Sequence, residues 1–130
     1  VNDVSLDTII GNVTGNVSNV KNIGTLLNLV SYGGALTGDI AVLPPNLIRI
    51  ENKKGIFTWS NRASSSKIFS IIGAPKIDNV DKMLQDMANC VAQTITGFTT
   101  ISATGTRTAA SDAEVQTLQS KGYTVYIIPA

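Results

Sequence analysis

The stretch LLNLVSYGGALTGD (residues 26–39) returns along the chain, with substitutions, as LIRIENKKGIFTWS (residues 47–60). Leu26, Leu47 and Ile68 follow one another at a constant step. A unit that repeats every roughly 20 to 50 residues cannot bury its apolar face alone and must stack on its neighbours. The sequence therefore predicts a solenoid. Further positions keep the same step: Leu29/Ile50/Ile71, Gly34/Gly55, Leu36/Phe57 and Thr37/Thr58.

The units are about 21 to 23 residues long, which falls in the range of leucine-rich repeats with the pattern L-x-x-L-x-L-x-x-N-x-L. The sixth position of that pattern is held by Ser31, Asn52 and Gly73, so its usual leucine is missing. The asparagine position is glycine in two units, so no buried asparagine ladder is expected. Each unit is expected to add one short strand to a parallel sheet, around residues 25–30, 46–51 and 67–72.

The chain divides into three segments along this pattern. Residues 1–12 are predicted to be a partial first repeat, and residues 13–78 to be three repeats of about 21 to 23 residues each. The repeat pattern ends before residues 79–130, which are predicted to form a helix–strand–helix–strand cap. The predicted fold class is an α/β solenoid with a leucine-rich-repeat-like parallel sheet, irregular return limbs and a C-terminal α/β cap.

Local signals define the elements of the cap. Asn79 is predicted to N-cap a helix that runs to about Ala92, with an apolar stripe that includes Val91. Ser111 and Glu114 fit a capping box for a second helix. Gly122 is a suitable left-handed terminator for that helix, and residues 123–128 are predicted to form a final parallel strand.

The composition argues against several classes of function. The chain has 130 residues, a net charge of +1, no histidine and one cysteine, Cys90. Without histidine it lacks the commonest general base and metal ligand, so histidine-dependent catalysis is excluded. Cys90 has no activating base and is predicted to be a buried structural thiol. We expect no enzymatic activity, no cofactor, no metal, no nucleic-acid partner and no membrane insertion.

Three segments together suggest a family. They are TGDIAVLPPNL (residues 37–47), DKMLQDMANC (residues 81–90) and GTRTAASDAEVQTLQSKGYTV (residues 105–125). With these segments the chain resembles the C-terminal repeats and cap of leucine-rich-repeat proteins of the BspA-like group, found on gut bacteria and in the virions of their phages. The resemblance covers about residues 13–128, and its tail is the most specific part. It transfers no catalytic residues.

The resemblance implies a surface or virion module that contacts proteins or glycans. The leading expectation is a non-enzymatic structural or attachment module of a phage virion appendage, a fibre or decoration, located on the virion surface. The alternative is a leucine-rich-repeat adhesin, located on the bacterial surface or secreted, that binds host protein or glycan.

A candidate interaction surface comes from the uneven distribution of charge. Six of the ten Lys and Arg residues lie between residues 46 and 76, against one acid. Such a patch fits an acidic glycan or protein face, with aromatic rings as stacking platforms; the other interpretation is a set of solvated turns. Trp59 either projects outward as an anchor or is buried as a filler of the short third unit. The candidate residues are Trp59, Tyr32, Arg49, Lys53, Lys54, Arg62 and Lys67.

A candidate assembly edge lies near the start of the sequence. Moving back from Leu29 by the length of the first unit reaches Leu6, so Val4 and Leu6 are predicted to belong to the last strand of an earlier unit. An open solenoid end exposes apolar side chains, which favours a protein partner, further repeats or self-association. The alternative is a frayed, polar end. The candidate edge residues are Val4, Leu6, Ile9 and Ile10.

Overall fold

A computed structural model describes residues 6–94 and 97–130. Its main feature is one curled, open parallel sheet that forms a half-barrel, with few helices. Nine strands form a continuous path, and a tenth pairs with the ninth. The strands are β1 (Thr8–Gly11), β2 (Gly15–Asn16), β3 (Asn28–Ser31), β4 (Leu36–Asp39), β5 (Arg49–Glu51), β6 (Ile56–Thr58), β7 (Ser70–Ile72), β8 (Lys76–Ile77), β9 (Thr100–Thr104) and β10 (Thr124–Ile128).

The helices lie between the strands. The two α-helices are α1 (Val80–Asn89) and α2 (Asp112–Ser120), and short 3₁₀ helices occupy Val17–Val20, Ile40–Val42 and Ala109–Ser111.

Four strand–corner–strand units build the sheet. The first strands of the units pair as β1-β3-β5-β7, which we name the first ladder, and the second strands pair as β2-β4-β6-β8, the second ladder. β9 joins the two, because its Ile101 pairs with Ile71 of β7 and its Thr104 pairs with Lys76 of β8. Every pairing is parallel.

The register of the first ladder follows the constant step of the sequence. Leu29 pairs with Ile50, and Ile50 pairs with Ile71. These residues face the core, where the first apolar residue of each unit is also fully buried. The strands begin later than predicted, because that first apolar residue packs into the core before the ladder starts. Cys90 is also buried, as predicted.

The register of the first unit differs from the prediction. Leu29 pairs with Ile9, and not with Leu6. Leu6 precedes β1, and Val4 lies outside the described residues. The misassignment arises because the path from the start of the 3₁₀ helix to the next strand is longer in the first unit than in the second. The extra residues are therefore absorbed in the loop, where they leave strand pairing unaffected.

A repeated glycine–Asx pair shapes the end of the second-ladder strands. Gly15 and Gly38 have φ angles of 120° and 102°, which only glycine adopts readily. The next residues, Asn16 and Asp39, each accept a 2.9 Å hydrogen bond from the backbone amide two residues on. This side-chain cap starts a 3₁₀ helix in both units and directs the chain away from the sheet.

Buried polar side chains link each corner to the unit before it. Asn52 is 1% exposed; its amide donates to Ser31 O at 3.0 Å and Gly34 O at 2.7 Å, and its Oδ1 accepts from Leu36 N at 2.8 Å. Ser31 bonds both the N–H and the C=O of Val13 in the same way. Asn52 lies at the sixth position of the repeat and not at the asparagine position, so the sixth position takes over the bonding role.

Ser102 on β9 continues this pattern. Its hydroxyl donates to Ile71 O at 2.8 Å and accepts from Ala74 N at 3.0 Å. Ser31, Asn52 and Ser102 thus satisfy backbone groups that the corners leave without strand partners. We call the hydrogen bonds that these three side chains form the corner bonds.

The cap follows the predicted order of elements but not the predicted capping. Asn79 has a left-handed conformation with φ 67°, and its side chain donates to Trp59 O at 3.2 Å instead of capping α1. The helix ends at Asn89, so Val91 falls outside it and is exposed. Ser111 forms no capping box, because its hydroxyl donates to Asp81 Oδ1 at 2.6 Å.

The end of the cap agrees with the sequence. Gly122 follows α2 with φ 92°. β10 then pairs in parallel with β9 over its whole length. The sheet therefore continues past the four units in the same strand direction.

Candidate functional site

The outer face of the first ladder carries the side chains that alternate with the core residues. At its centre, Arg49 Nε donates to Asn28 Oδ1 at 3.0 Å, and Arg49 Nη1 lies 3.5 Å from Glu51 Oε1. The guanidinium carbon also lies 4.6 Å from the centre of the Phe98 ring. Arg49 is half-buried and already engaged by three neighbours, so it presents little free positive charge to a ligand.

A ridge of exposed side chains lies where the first ladder turns into the corners. Tyr32 is 65% exposed, and Lys53 and Lys54 are exposed in the next corner. Lys54 Nζ donates to Gly33 O at 3.2 Å, so the two corners are in contact. The structure thus brings together three of the predicted interaction residues. We call Tyr32, Lys53 and Lys54 the corner ridge.

Trp59 is not part of an exposed surface. It is 3% exposed, its ring centre lies 6.1 Å from that of Phe69, and its Nε1 donates to Asp86 Oδ2 at 2.8 Å. Of the two interpretations of Trp59, the buried filler is the correct one. The anchor interpretation fails because α1 covers the return limb that carries Trp59.

Arg62, also predicted to be a surface residue, is 5% exposed and contributes no surface charge. Its guanidinium donates to Leu43 O at 2.8 Å, to Pro44 O at 3.1 Å and to Lys67 O at 3.1 Å, and stacks 4.7 Å from the Phe69 ring centre. Burial lowers the pKa of Arg62 from its high usual value, although arginine stays cationic in proteins. Arg62 ties two return limbs together through their backbone.

Lys67 is half-buried and lies apart from the corner ridge. It precedes β7, whereas Lys53 and Lys54 follow β5. Because the strands are parallel, these positions lie at opposite ends of the first ladder. The predicted basic patch is therefore not one surface.

The predicted assembly edge is divided between the two faces of β1. Ile9 is half-buried against the core, and Ile10 points the other way and is 48% exposed. Leu6 is half-buried ahead of the strand, and Val4 lies outside the described residues. Within the described ranges, β1 pairs on one side only, with β3.

A groove of about 890 Å³ lies beside the second ladder. Exposed Ile56, Lys76 and Asp78 line it, together with the segment 129–130. Asp81 also reaches it, but hydrogen bonds from Ser111 and Thr108 hold the pKa of this carboxyl below its usual value. Asp81 therefore secures the loop before α2 rather than offering a proton donor.

The remaining reactive groups are also structural. Cys90 Sγ donates to Ala63 O at 3.6 Å, and burial raises the pKa of the thiol. A protonated, buried thiol is a poor nucleophile. In the ranges that the structure covers, no group of three or more Cys, Asp or Glu side chains is arranged to hold a metal ion. No helix among the described residues is long and apolar enough to span a bilayer.

Sequence reasoning missed Asn28, Phe98 and Tyr126 on the outer face. Tyr126 is 58% exposed on β10. The signal that would have found it is the alternation of the last strand, in which every second residue points away from the core.

Comparison with protein-family models, with curated proteins and with solved structures gives no match for this chain. The similarity to the BspA-like group therefore stays a prediction from the sequence.

Proposed function

We propose that this protein is a non-enzymatic structural or attachment module of a phage virion appendage, and that its sheet is a leucine-rich-repeat-type solenoid with an α/β cap. The corner ridge is the observation that carries this proposal. It places an exposed aromatic ring beside two exposed cations on adjacent, hydrogen-bonded corners. The virion setting comes from the sequence resemblance alone.

The scaffold under the ridge favours binding over catalysis. The corner bonds fix the backbone of successive units, so Tyr32 is presented by an ordered surface and little entropy is lost when a partner binds. Tyrosine is enriched among residues that dominate binding energy. Lys53 and Lys54 would act mainly by attracting an acidic partner, with a strong dependence on salt.

The test is the binding of fluorescently labelled protein to intact bacteria, to mucin and to animal cells. We expect saturable binding to some bacteria, and a loss of affinity of about tenfold or more in Tyr32→Ala, which is about 1.4 kcal/mol. The pair Lys53→Glu and Lys54→Glu should weaken binding most at low salt. Lys67→Glu, at the opposite end of the first ladder, is the matched control and should bind like wild type.

Two results would contradict the proposal. One is the absence of binding above that of an unrelated labelled protein, and the other is unchanged binding in the ridge variants. Binding restricted to mucin or animal cells would instead support the alternative, a bacterial adhesin.

A further inference from the structure

Three strands of the described sheet have a free edge: β1 and β2 at one end and β10 at the other. β1 pairs with β3 only, and β10 pairs with β9 only. A free edge presents unpaired N–H and C=O groups that can accept another strand. Because every pairing in the sheet is parallel, β1 and β10 run in the same direction. A second copy stacked along the sheet would therefore bring its β10 to β1 in parallel.

We infer that β10 of one copy pairs with β1 of the next, so that copies of the chain stack head to tail in the register that the sheet already uses. The inference deepens the proposed function, on which it rests, by naming a second copy of this chain as a structural partner. Four observations support it: the shared direction of the two edges, the continuity of the side-chain rows, the double pairing of β9 and the charges at the two edges.

The row of inward side chains ends in half-buried residues at both edges. Ile9 begins the row on β1 and Val125 ends it on β10, with Leu29, Ile50, Ile71 and Ile101 between them. Both end residues pack against the core but are only partly covered. Head-to-tail stacking would place Val125 of one copy beside Ile9 of the next and complete their burial.

The neighbouring outward row ends in the same way. It begins with Ile10 and ends with Tyr126, which are 48% and 58% exposed. These two residues occupy equivalent positions, because each follows an end residue of the inward row, Ile9 or Val125, by one position. Stacking would set an aromatic ring directly beside an aliphatic side chain, which is a favourable cross-strand pair.

β9 shows that one strand can serve both ladders. Its Ile101 pairs with Ile71 in the first ladder and its Thr104 with Lys76 in the second. β10 keeps the register of β9 over its whole length. It therefore has the length and direction to meet β1 with its first residues and β2 with its last, as β9 meets β7 and β8.

The charges at the two edges are opposite. Asp7 is the only charged residue between positions 6 and 20, and it immediately precedes β1. Lys121 is the only charged residue between positions 119 and 130, and it lies shortly before β10. Its Nζ donates to Ala88 O at 2.7 Å and to Cys90 O at 3.2 Å, which holds the ammonium group at the end where the strands start. Stacking would bring it to the same side of the junction as the Asp7 carboxylate, where the two charges attract each other.

A head-to-tail contact uses two different surfaces, and copies displaced along the stacking axis form open chains rather than a closed ring. The experiment is the solution mass of the 130-residue protein, measured by light scattering and sedimentation over a wide range of concentration. We expect a mass that rises continuously with concentration. A constant monomer mass would overturn the inference, and so would a dimer that grows no further.

Charged variants identify the strands in contact. Ile10→Lys and Tyr126→Glu should each lower the association constant by about tenfold or more, and the double variant should recover most of that loss, because the new charges face each other. Ile56→Lys changes an exposed isoleucine in the interior strand β6 and should associate like wild type. If Tyr126→Glu has no effect, or if the double variant is no better than the singles, β10 is not the partner of β1.

Two controls distinguish a lost contact from a lost fold and from a lost function. Circular dichroism and thermal melting of each variant must match wild type, so that lost association does not reflect lost folding. Cell binding through the corner ridge provides an independent readout. A monomer that still binds cells contradicts the stacking and leaves the proposed function in place. An open polymer that binds no cell surface supports stacking and contradicts the attachment role.

Discussion

Trp59 Nε1 donates a 2.8 Å hydrogen bond to Asp86 Oδ2 across 27 residues of sequence. The same carboxylate oxygen accepts from Arg62 N at 3.0 Å, and Asp86 Oδ1 lies 2.5 Å from Lys82 Nζ. Asp86 therefore anchors the third return limb to α1. Trp59, a candidate binding residue in the sequence analysis, is therefore part of the core.

Replacement of this tryptophan tests that role. Trp59→Phe keeps the ring in the core and removes the indole N–H, so we expect the free energy of unfolding to fall by about 1.5 to 3 kcal/mol. Binding to cells should stay unchanged. Urea unfolding and the cell-binding assay measure the two quantities. A stable variant that loses cell binding would show that Trp59 acts as a contact residue after all.

Arg62 is predicted to be among the positions where substitution lowers the stability of the fold most. Arg62→Ala leaves several buried carbonyl oxygens without a donor, each at a cost of about 1 to 3 kcal/mol, and opens a cavity beside Phe69. We expect a loss large enough to unfold a domain of this size. Arg62→Lys should recover part of the stability, and Lys53→Ala is the exposed control. A variant Arg62→Ala with a wild-type urea midpoint would contradict the assignment.

Asn52→Leu restores the residue that the leucine-rich-repeat pattern would place there, and we expect it to destabilise the fold. The leucine cannot replace the donors to Ser31 O and Gly34 O or the acceptor for Leu36 N. Unpaired buried groups cost about 1 to 3 kcal/mol each, so urea unfolding should show a loss of at least about 2 kcal/mol. Ser31→Ala, which removes a smaller corner bond, should lose less. Equal or higher stability in Asn52→Leu would show that the pattern outweighs the hydrogen bonds.

The stability of the fold should fall in acid. Hydrogen bonds from Ser111 and Thr108 lower the pKa of Asp81. Burial raises the pKa of Asp86, but hydrogen bonds from Lys82, Trp59 and Arg62 outweigh this and leave it lowered. Stabilisation from both carboxylates is therefore fully present above the unfolded-state pKa, about 3.9, and is lost as the pH falls through the folded-state values.

Urea midpoints measured from neutral pH down to strongly acidic pH check this dependence. Asp81→Asn and Asp86→Asn should each flatten the acid limb of the stability curve. An acid limb that is identical in wild type and in both the Asp81 and Asp86 variants would contradict the assignment.

Cys90 should react slowly with a thiol reagent in the native protein. The thiol is buried and its pKa is raised, so little thiolate is accessible. In urea the reaction should be rapid and complete. Ser64→Cys, made in a Cys90→Ser background, places a thiol at an exposed loop position and is the control for reagent activity. Fast labelling of native Cys90 would show that the core opens frequently.

The sequence was most informative where stacking imposes a constant step. Leu29, Ile50 and Ile71 pair in the predicted register because equivalent inward residues must meet one continuous core. The helix α1 and the strand β10 were found because their apolar patterns reflect local burial. These parts of the fold follow from periodicity alone.

The errors lie where a residue's role depends on distant contacts. Arg62 sits in a loop rich in serine and asparagine, and nothing nearby in sequence indicates that the carbonyl oxygens of Leu43 and Pro44 surround it. Ser111 matched a local capping pattern, but Asp81, 30 residues away, takes its hydroxyl. The sequence predicted the residues of the corner ridge but not their separation from Lys67. That separation depends on the direction of the strands, which the sequence pattern alone did not place.

The corner bonds have a direction that bears on how the chain folds during synthesis. Ser31, Asn52 and Ser102 each bond to a segment that precedes them, so their partners have already left the ribosome when these residues emerge. During synthesis, the N-terminal part of a chain is free to fold before the rest has been made. Each new unit of this protein can dock on a finished template, and the sheet can grow at the pace of translation.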